Sequence, residues 1–302
     1  MDISIVIVNY NVRDYILKCL DTIFASPLQM STEVIVVDNN SHDGSVEAIA
    51  AAYPQVKLII NKYNDGFSAA NNQAFQVAEG RYLLMLNPDT ELTEDSLHKL
   101  FSFLENNAEF SIVAPKLTNT DGSLQQSVWR FPSVCTLFFD MFYLTMFLKK
   151  KNYADKDMHL AFEVDSISGA ALLFRREVIE KIGMLDETLF WIEDIDFCYR
   201  AHKAGLRTLY YPDSQVIHHV SKSAKLNYNI SISNQIFSKI KYFRKHKNFV
   251  STFLLTIISL INVLLRFIVF GLLSPFSKIY WRKAKAYLYT LPKVIVPPKG
   301  IK

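Results

Sequence analysis

Short apolar runs alternate with segments of helical periodicity through the first third of the chain, and no other feature narrows the possible folds so far. Residues 3–8 (ISIVIV) are continuously apolar and end in Asn9-Tyr10-Asn11, the pattern of a strand buried on both faces. Val12, Tyr15, Ile16, Cys19, Leu20, Ile23 and Phe24 then recur at the spacing of one helix face. Glu33–Val37 predicts a second strand stopping at Asp38, and a helix follows from about Gly44, capped by Ser41 or Asp43. The pattern repeats with Val56–Ile60 as strand, Gly66–Glu79 as helix and Tyr82–Leu86 as a strand ending in Asn87-Pro88-Asp89. A helix over Thr93–Glu105 and a strand at Ser111–Ala114 complete the series. Such alternation means right-handed βαβ units and a mostly parallel sheet with helices on both faces, an α/β fold. Ligands in these sheets bind at the carboxyl ends of the strands. Asn9, Tyr10, Asn11, Asp38, Asn87 and Asp89 are therefore expected on one rim.

A second constraint is chemical. Trp191-Ile192-Glu193-Asp194-Ile195-Asp196 places three carboxylates in four positions beside a tryptophan, and burying charge without a partner is costly. After Asp194 the spacing of Phe197, Ala201 and Ala204 predicts a helix, in which Asp196 pairs with Arg200. Glu193 and Asp194 fall at its start, where they either complement the helix dipole or face a cleft. Around this stretch we expect a strand over Asp165–Phe174, a short helix stopped by Gly183, and strands at Arg207–Tyr211 and Gln215–His218. Ser123–Pro132 reads as a loop. Val134–Leu148 is nearly all apolar but too short to cross a bilayer. It is a core helix or, given Lys149-Lys150-Lys151 behind it, a flap (133–151) resting on lipid.

Charge divides the chain. After Asp213 there are fifteen Lys or Arg residues and no Asp or Glu, whereas the part before carries 18 basic against 29 acidic residues. Residues 221–302 thus form a basic appendage aimed at a polyanion, on a domain of residues 1–220. The appendage is also highly apolar, which favours an anionic membrane surface over nucleic acid. Phe249–Leu273 is apolar for 25 residues, interrupted by a polar stripe of Thr252, Thr256, Ser259, Asn262 and Arg266. Basic clusters flank it at Lys239–Lys247 and Lys278–Lys285. A spanning helix would strand one cluster outside, so a helix in the interface plane at the cytoplasmic face fits better. No signal peptide is expected, since the first apolar run is short and preceded by Asp2. Three widely spaced cysteines suit reduced thiols.

Seven segments, in order, resemble the inverting family 2 nucleotide-sugar glycosyltransferases of the GT-A fold, in particular the bacterial rhamnosyltransferase-like subgroup. They are VIVNYN (6–11), VVDNNSHDGS (36–45), NKYNDGFSAANN (61–72), LLMLNPDTEL (83–92), SGAALLFRREVIEKIGMLDE (168–187), WIEDIDFCYRAHKAG (191–205) and YYPDSQVIHH (210–219). The resemblance covers residues 1–220 and implies transfer of a sugar from a UDP- or dTDP-sugar, such as dTDP-rhamnose, to a lipid-linked glycan. It makes Asp194 the general base, with Glu193 raising its basicity or holding the acceptor. Asp38 accepts the imide N–H of the pyrimidine, and Asn9, Tyr10 and Asn11 frame the base and ribose. Asn87-Pro88-Asp89 stands where the family has its DxD motif, so Asp89 is implied as ligand to Mn2+ or Mg2+, with His218 as a further ligand and His219 competing. Trp191 offers an apolar face to a sugar ring, and Gly169 borders the same acceptor region. One departure is the missing Arg near the start of the third helix, where Ser68-Ala69-Ala70-Asn71-Asn72 stands. Phosphate neutralisation then rests more heavily on the cation. The competing readings are a catalytically silent nucleotide-sugar-binding partner of a membrane synthase and a nucleic-acid binder. The Gly-rich dinucleotide fingerprint is absent, which argues against a dehydrogenase.

Overall fold

The computed structural model describes residues 1–25, 30–144, 151–219 and 228–295. The chain divides into two units. The first comprises Met1–Phe131, Lys156–Glu187 and Asp194–Ser223; the second comprises Pro132–Asp155, Thr188–Glu193 and Ala224–Lys302. The sequence places a single division at residue 220, whereas here the apolar segment after Phe131 and the residues just before Asp194 group with the C-terminal helices.

The first unit opens with β1 (Ile3–Asn9), α1 (Arg13–Ala25), β2 (Thr32–Asp38), α2 (Ser45–Ala52), β3 (Lys57–Ile60), α3 (Phe67–Val77) and β4 (Tyr82–Leu86). It continues through β5 (Thr90–Leu92), α4 (Ser96–Asn106), β6 (Phe110–Thr118) and β7 (Val128–Trp129). The second unit contributes α5 (Val134–Met141) before the chain returns as β8 (Phe162–Glu163), β9 (Ser166–Ile167), β10 (Ala171–Arg175) and α6 (Arg176–Ile182). Helix α7 (Glu193–Lys203) and β11 (Arg207–His218) follow.

The main sheet runs β3-β2-β1-β4-β10-β6-β11-β5, with β8 paired to β11. Strands β3, β2, β1 and β4 are mutually parallel, as are β6 and β11, while β10 runs against both its neighbours. The fold is thus mixed α/β with a mostly parallel central sheet. Every residue of β1 is buried, and α1 covers the sheet with Ile16, Cys19, Leu20 and Ile23, the face read from periodicity. Each such aliphatic side chain contributes about 1.5–3 kcal/mol by leaving water. Cys19 and Cys198 are buried and Cys135 exposed, all three unbridged.

Three local expectations change. Asp165–Phe174 is not one strand: β9 pairs with β7 in a separate two-stranded sheet, β10 enters the main sheet, and Ser168-Gly169-Ala170 turns between them. Conversely β11 is a single strand where two were expected, its register shifting between Tyr211 and Gln215 around Pro212, which has no N–H for the ladder. At α2 the N-cap is Gly44, with φ +79°, and Asp43 binds the Ser45 N–H from one residue further out.

In the second unit α5 is short, burying Leu137 and Met141. Residues 145–150, with most of the lysine cluster expected behind the flap, lie outside the described residues. Helices α8 (Tyr228–His246), α9 (Phe249–Leu273) and α10 (Lys278–Ile295) complete the unit. The polar stripe of α9 turns inward. Ser259 and Asn262 are buried, and Asn262 Nδ2 donates to the Met141 carbonyl at 2.7 Å. The Arg266 guanidinium donates to that carbonyl at 2.9 Å and to the hydroxyls of Tyr287 and Tyr143 at 2.9 and 3.1 Å. The opposite face, including Leu254, Ile261 and Ile268, is left exposed. Among the described residues, Phe249–Phe276 is the one helical stretch long and apolar enough to cross a membrane.

Candidate active site

The carboxyl ends of β1, β2, β4 and β11 and the turn before β10 share one rim of the main sheet, because Asn9 pairs with Asp38, Ile7 with Leu86 and Leu86 with Ala171. At the β1–β2 end Asp38 is fully buried. Its carboxylate accepts from Asn9 Nδ2 at 2.7 Å and from the Ser41 N–H at 2.8 Å. The Ser41 hydroxyl accepts from the Asn11 N–H, and Asn11 Oδ1 accepts from the His42 N–H. Asn11 sits at φ +53°, a left-handed conformation that Asn tolerates, and this turns Tyr10 outward to the surface. Asn9 Oδ1 is buried without a hydrogen-bond partner. Asn9, Tyr10, Asn11 and Asp38 thus form one cross-linked corner.

A second cluster lies at the β4 and β11 ends. His218 Nε2 is 3.3 Å from Asp89 Oδ1 and 3.4 Å from Asn87 Nδ2. Gln125 fixes the ring: its amide nitrogen donates to Asn119 Oδ1 and the His218 carbonyl, so its Oε1 faces His218 Nδ1 at 2.7 Å. Gln125 Oε1 therefore takes the Nδ1 proton, and Nε2 is the ring nitrogen that faces Asp89. A carboxylate oxygen and an imidazole nitrogen so placed can share a cation. Asp89 Oδ2 is buried with no partner. These features fit a small oxygen-seeking divalent ion, with two ionisable ligands and an amide beside them. Among the described residues no group of three or more His, Cys, Asp or Glu side chains forms a closed metal set. His219 points elsewhere, to Glu91, which also pairs with Lys18.

Asp194 closes the arrangement. Its Oδ2 accepts from the Gly169 N–H at 3.1 Å and its Oδ1 from its neighbour Ile195 N–H at 2.7 Å. The next residue in that turn, Ala170, accepts the Asn87 N–H through its carbonyl at 2.9 Å. Two hydrogen bonds and one residue step therefore link the Asp194 carboxylate to the Asn87-Pro88-Asp89 turn. Burial pushes the Asp194 carboxyl up to about 6, although the Gly169 and Ile195 N–H groups pull the other way. A Cβ on Gly169 would meet Asp194 Cβ and the Phe67 ring at ordinary contact, 3.7 Å. Asp196, by contrast, is committed to Arg200 at 2.7 Å. Trp191 and Glu193 belong to the second unit, where the Ile192 N–H donates to Glu193 Oε2 and Trp191 is exposed with φ +64°.

Sequence reasoning missed Gln125 and Ser41, which orient the chemistry rather than perform it. Ser41 stood in view as a supposed helix cap; Gln125 lies in an apparent loop 93 residues from the histidine it holds. An open depression of about 390 Å3 lined by Glu177, Glu180, Lys181 and Leu206 is at the α6 end of β10, opposite Gly169, and contains none of these residues.

A mostly parallel sheet with carboxylates gathered at this rim defines a GT-A-like fold. The same overall fold occurs in the mannosyltransferase PcManGT of Pyrobaculum calidifontis, solved with GDP-Man and Mn2+, at a TM-score of 0.60 and 16% identity over 98% of this chain and 88% of that one. The family model for glycosyl transferase family 2 matches residues 4–183, and the chain belongs to that family. Its relatives include the N-acetylglucosaminyl-diphospho-decaprenol L-rhamnosyltransferase of Mycobacterium tuberculosis, 26% identical over 66% of this chain and 72% of that protein. The rhamnosyltransferase WbbL of Escherichia coli K12 is 27% identical over 72% of this chain and 83% of its own length.

Proposed function

We propose that the protein is an inverting glycosyltransferase that moves a sugar from a UDP- or dTDP-sugar, dTDP-rhamnose foremost, onto a lipid-linked glycan in cell-surface polysaccharide synthesis. The observation that carries this reading is the Asp194 carboxylate, held by two backbone N–H groups and tied through Ala170 to the turn bearing Asp89. Inversion needs a base that takes the acceptor proton on the face opposite the departing nucleotide. Asp194 has two oxygens fixed in direction and lone pairs to spare, and its raised proton affinity suits a base working near neutrality. Mn2+ or Mg2+ bound by Asp89 and His218, with Asn87 alongside, would neutralise charge on the departing diphosphate. The Mn2+ in the GT-A neighbour supports that choice. Asn9, Asn11 and Tyr10 frame the base and ribose. Asp38 is fully buried and bonded to Asn9 and Ser41, so it reaches the pyrimidine imide only if one of these contacts opens. Glu193, Gly169 and Trp191 serve the acceptor.

The relatives that act on lipid-linked acceptors support a membrane location. The exposed apolar face of α9 and the Trp281 and Tyr289 rings of α10, each under a lysine ammonium, are suited to a helix lying in an anionic cytoplasmic leaflet. Because the polar stripe is satisfied internally, nothing obliges α9 to span. No role for nucleic acid is proposed.

The test is a thermal-shift panel of UDP- and dTDP-sugars with and without Mn2+, followed by transfer assays on Asp194→Asn. Stabilisation by one donor class and transfer lowered by about 10^2–10^4 in the variant are expected. Wild-type transfer by Asp194→Asn removes the base assignment. Donor binding without any transfer by the wild type would instead indicate the silent partner of a membrane synthase.

A further inference from the structure

The segment preceding the candidate base is fastened to the C-terminal helices. The Phe190 N–H donates to Ser238 Oγ at 2.9 Å, and Lys241 Nζ to the Thr188 carbonyl at 3.5 Å. Ser238 has no exposed surface, and Phe237, Ile240, Tyr242 and Phe243 around it on α8 are buried. Leu189 and Ile192 are buried too, yet Trp191 between them is 56% exposed and stacks on Phe190, ring centroids 6.0 Å apart at 28°. Its φ of +64° puts a bulky side chain in the left-handed region, which persists only where the surroundings over-determine it. Gly or Asn would make this turn with less strain. Packing alone gives no reason for a large indole there, pointed at solvent.

We propose that Ser238 is a positioning residue for acceptor recognition: with Lys241 it locks the Phe190–Trp191 pair as a stacking platform for a ring of the acceptor glycan. This rests on the reading of Trp191 as an acceptor residue. An aromatic face takes the apolar side of a sugar ring without needing a particular hydroxyl pattern, and its value depends on being fixed in advance. Trp191 lies three residues before Asp194 in the chain, and since the platform is assigned to the acceptor, slack in the turn is expected to be read in the acceptor KM. The helices that carry the apolar face thereby also shape substrate binding.

The experiment uses full-length protein with dTDP-rhamnose and a polyprenyl-diphosphate-linked N-acetylglucosamine as probe acceptor. Ser238→Ala should raise the acceptor KM about tenfold and leave donor KM and acceptor-free donor hydrolysis unchanged. Amide hydrogen exchange at Phe190 should quicken by at least about tenfold in the same variant, and Ser238→Thr should restore both. An Ala variant with wild-type acceptor KM or wild-type exchange overturns the positioning role. Trp191→Ala separates the two ideas. If it leaves acceptor KM unchanged, or the wild type transfers nothing to the probe, the acceptor reading itself falls. If it raises KM while Ser238→Ala does not, only the inference about Ser238 falls.

Discussion

Asp194 combines a titration and a proposed task, and the directions of the two can be separated. Its carboxyl is raised from 3.8 to about 6, and only the ionised form can take a proton from a hydroxyl. Transfer measured as kcat/KM should therefore rise about tenfold per pH unit up to pH ~6 and level off above it. A limb near pH 4 would mean that the group titrates as an open carboxyl. Stability runs the other way: a raised carboxyl contributes fully below its unfolded value near 3.8, and that contribution fades as pH rises through about 6. Gln125 allows a second test. Gln125→Leu frees the His218 ring, and Mn2+ affinity in the presence of nucleotide should drop about 10–100-fold by calorimetry. The positions of Asp38 and Asp89 at strand ends and of Asp194 at a helix start were legible because a charge there stands out against apolar runs. Gln125 and Ser238 were not, because a neutral side chain becomes informative only when its distant partner is known.

The elements that carry these residues are held by contacts of unequal legibility. Helix α7 was readable from its spacing, and so was the Asp196–Arg200 pair. That Arg200 also donates to the carbonyls of Ile182, Gly183 and Met184, stapling α7 to the end of α6, was not. Arg200→Met would leave the fully buried Asp196 carboxylate without its guanidinium, and should cost about 3–5 kcal/mol in urea denaturation. A loss below 1 kcal/mol would show that Asp196 is satisfied by other means. The break between β9 and β10 was invisible in the sequence because both halves have strand composition. Only pairing in two sheets reveals it, and the resulting turn delivers the Gly169 N–H to Asp194.

The two units part the chain at several points and not at the residue where the charge changes. A triple variant Leu254→Glu, Ile261→Glu, Ile268→Glu places carboxylates on the exposed face of α9 and spares its inward stripe. Flotation with phosphatidylglycerol vesicles should fall at least about tenfold, without loss of the thermal transition. Unchanged flotation would move the lipid contact elsewhere. The sequence by itself determined the alternating α/β order, the polar rim at the strand ends and the basic, apolar C-terminal region, because periodicity and charge are local properties of a chain. Tertiary structure alone decided which histidine faces Asp89, what holds Asp194, which way the stripe of α9 points and which unit claims Trp191. Each of those depends on hydrogen bonds between residues far apart in sequence, and such partners are set by packing rather than by neighbours along the chain.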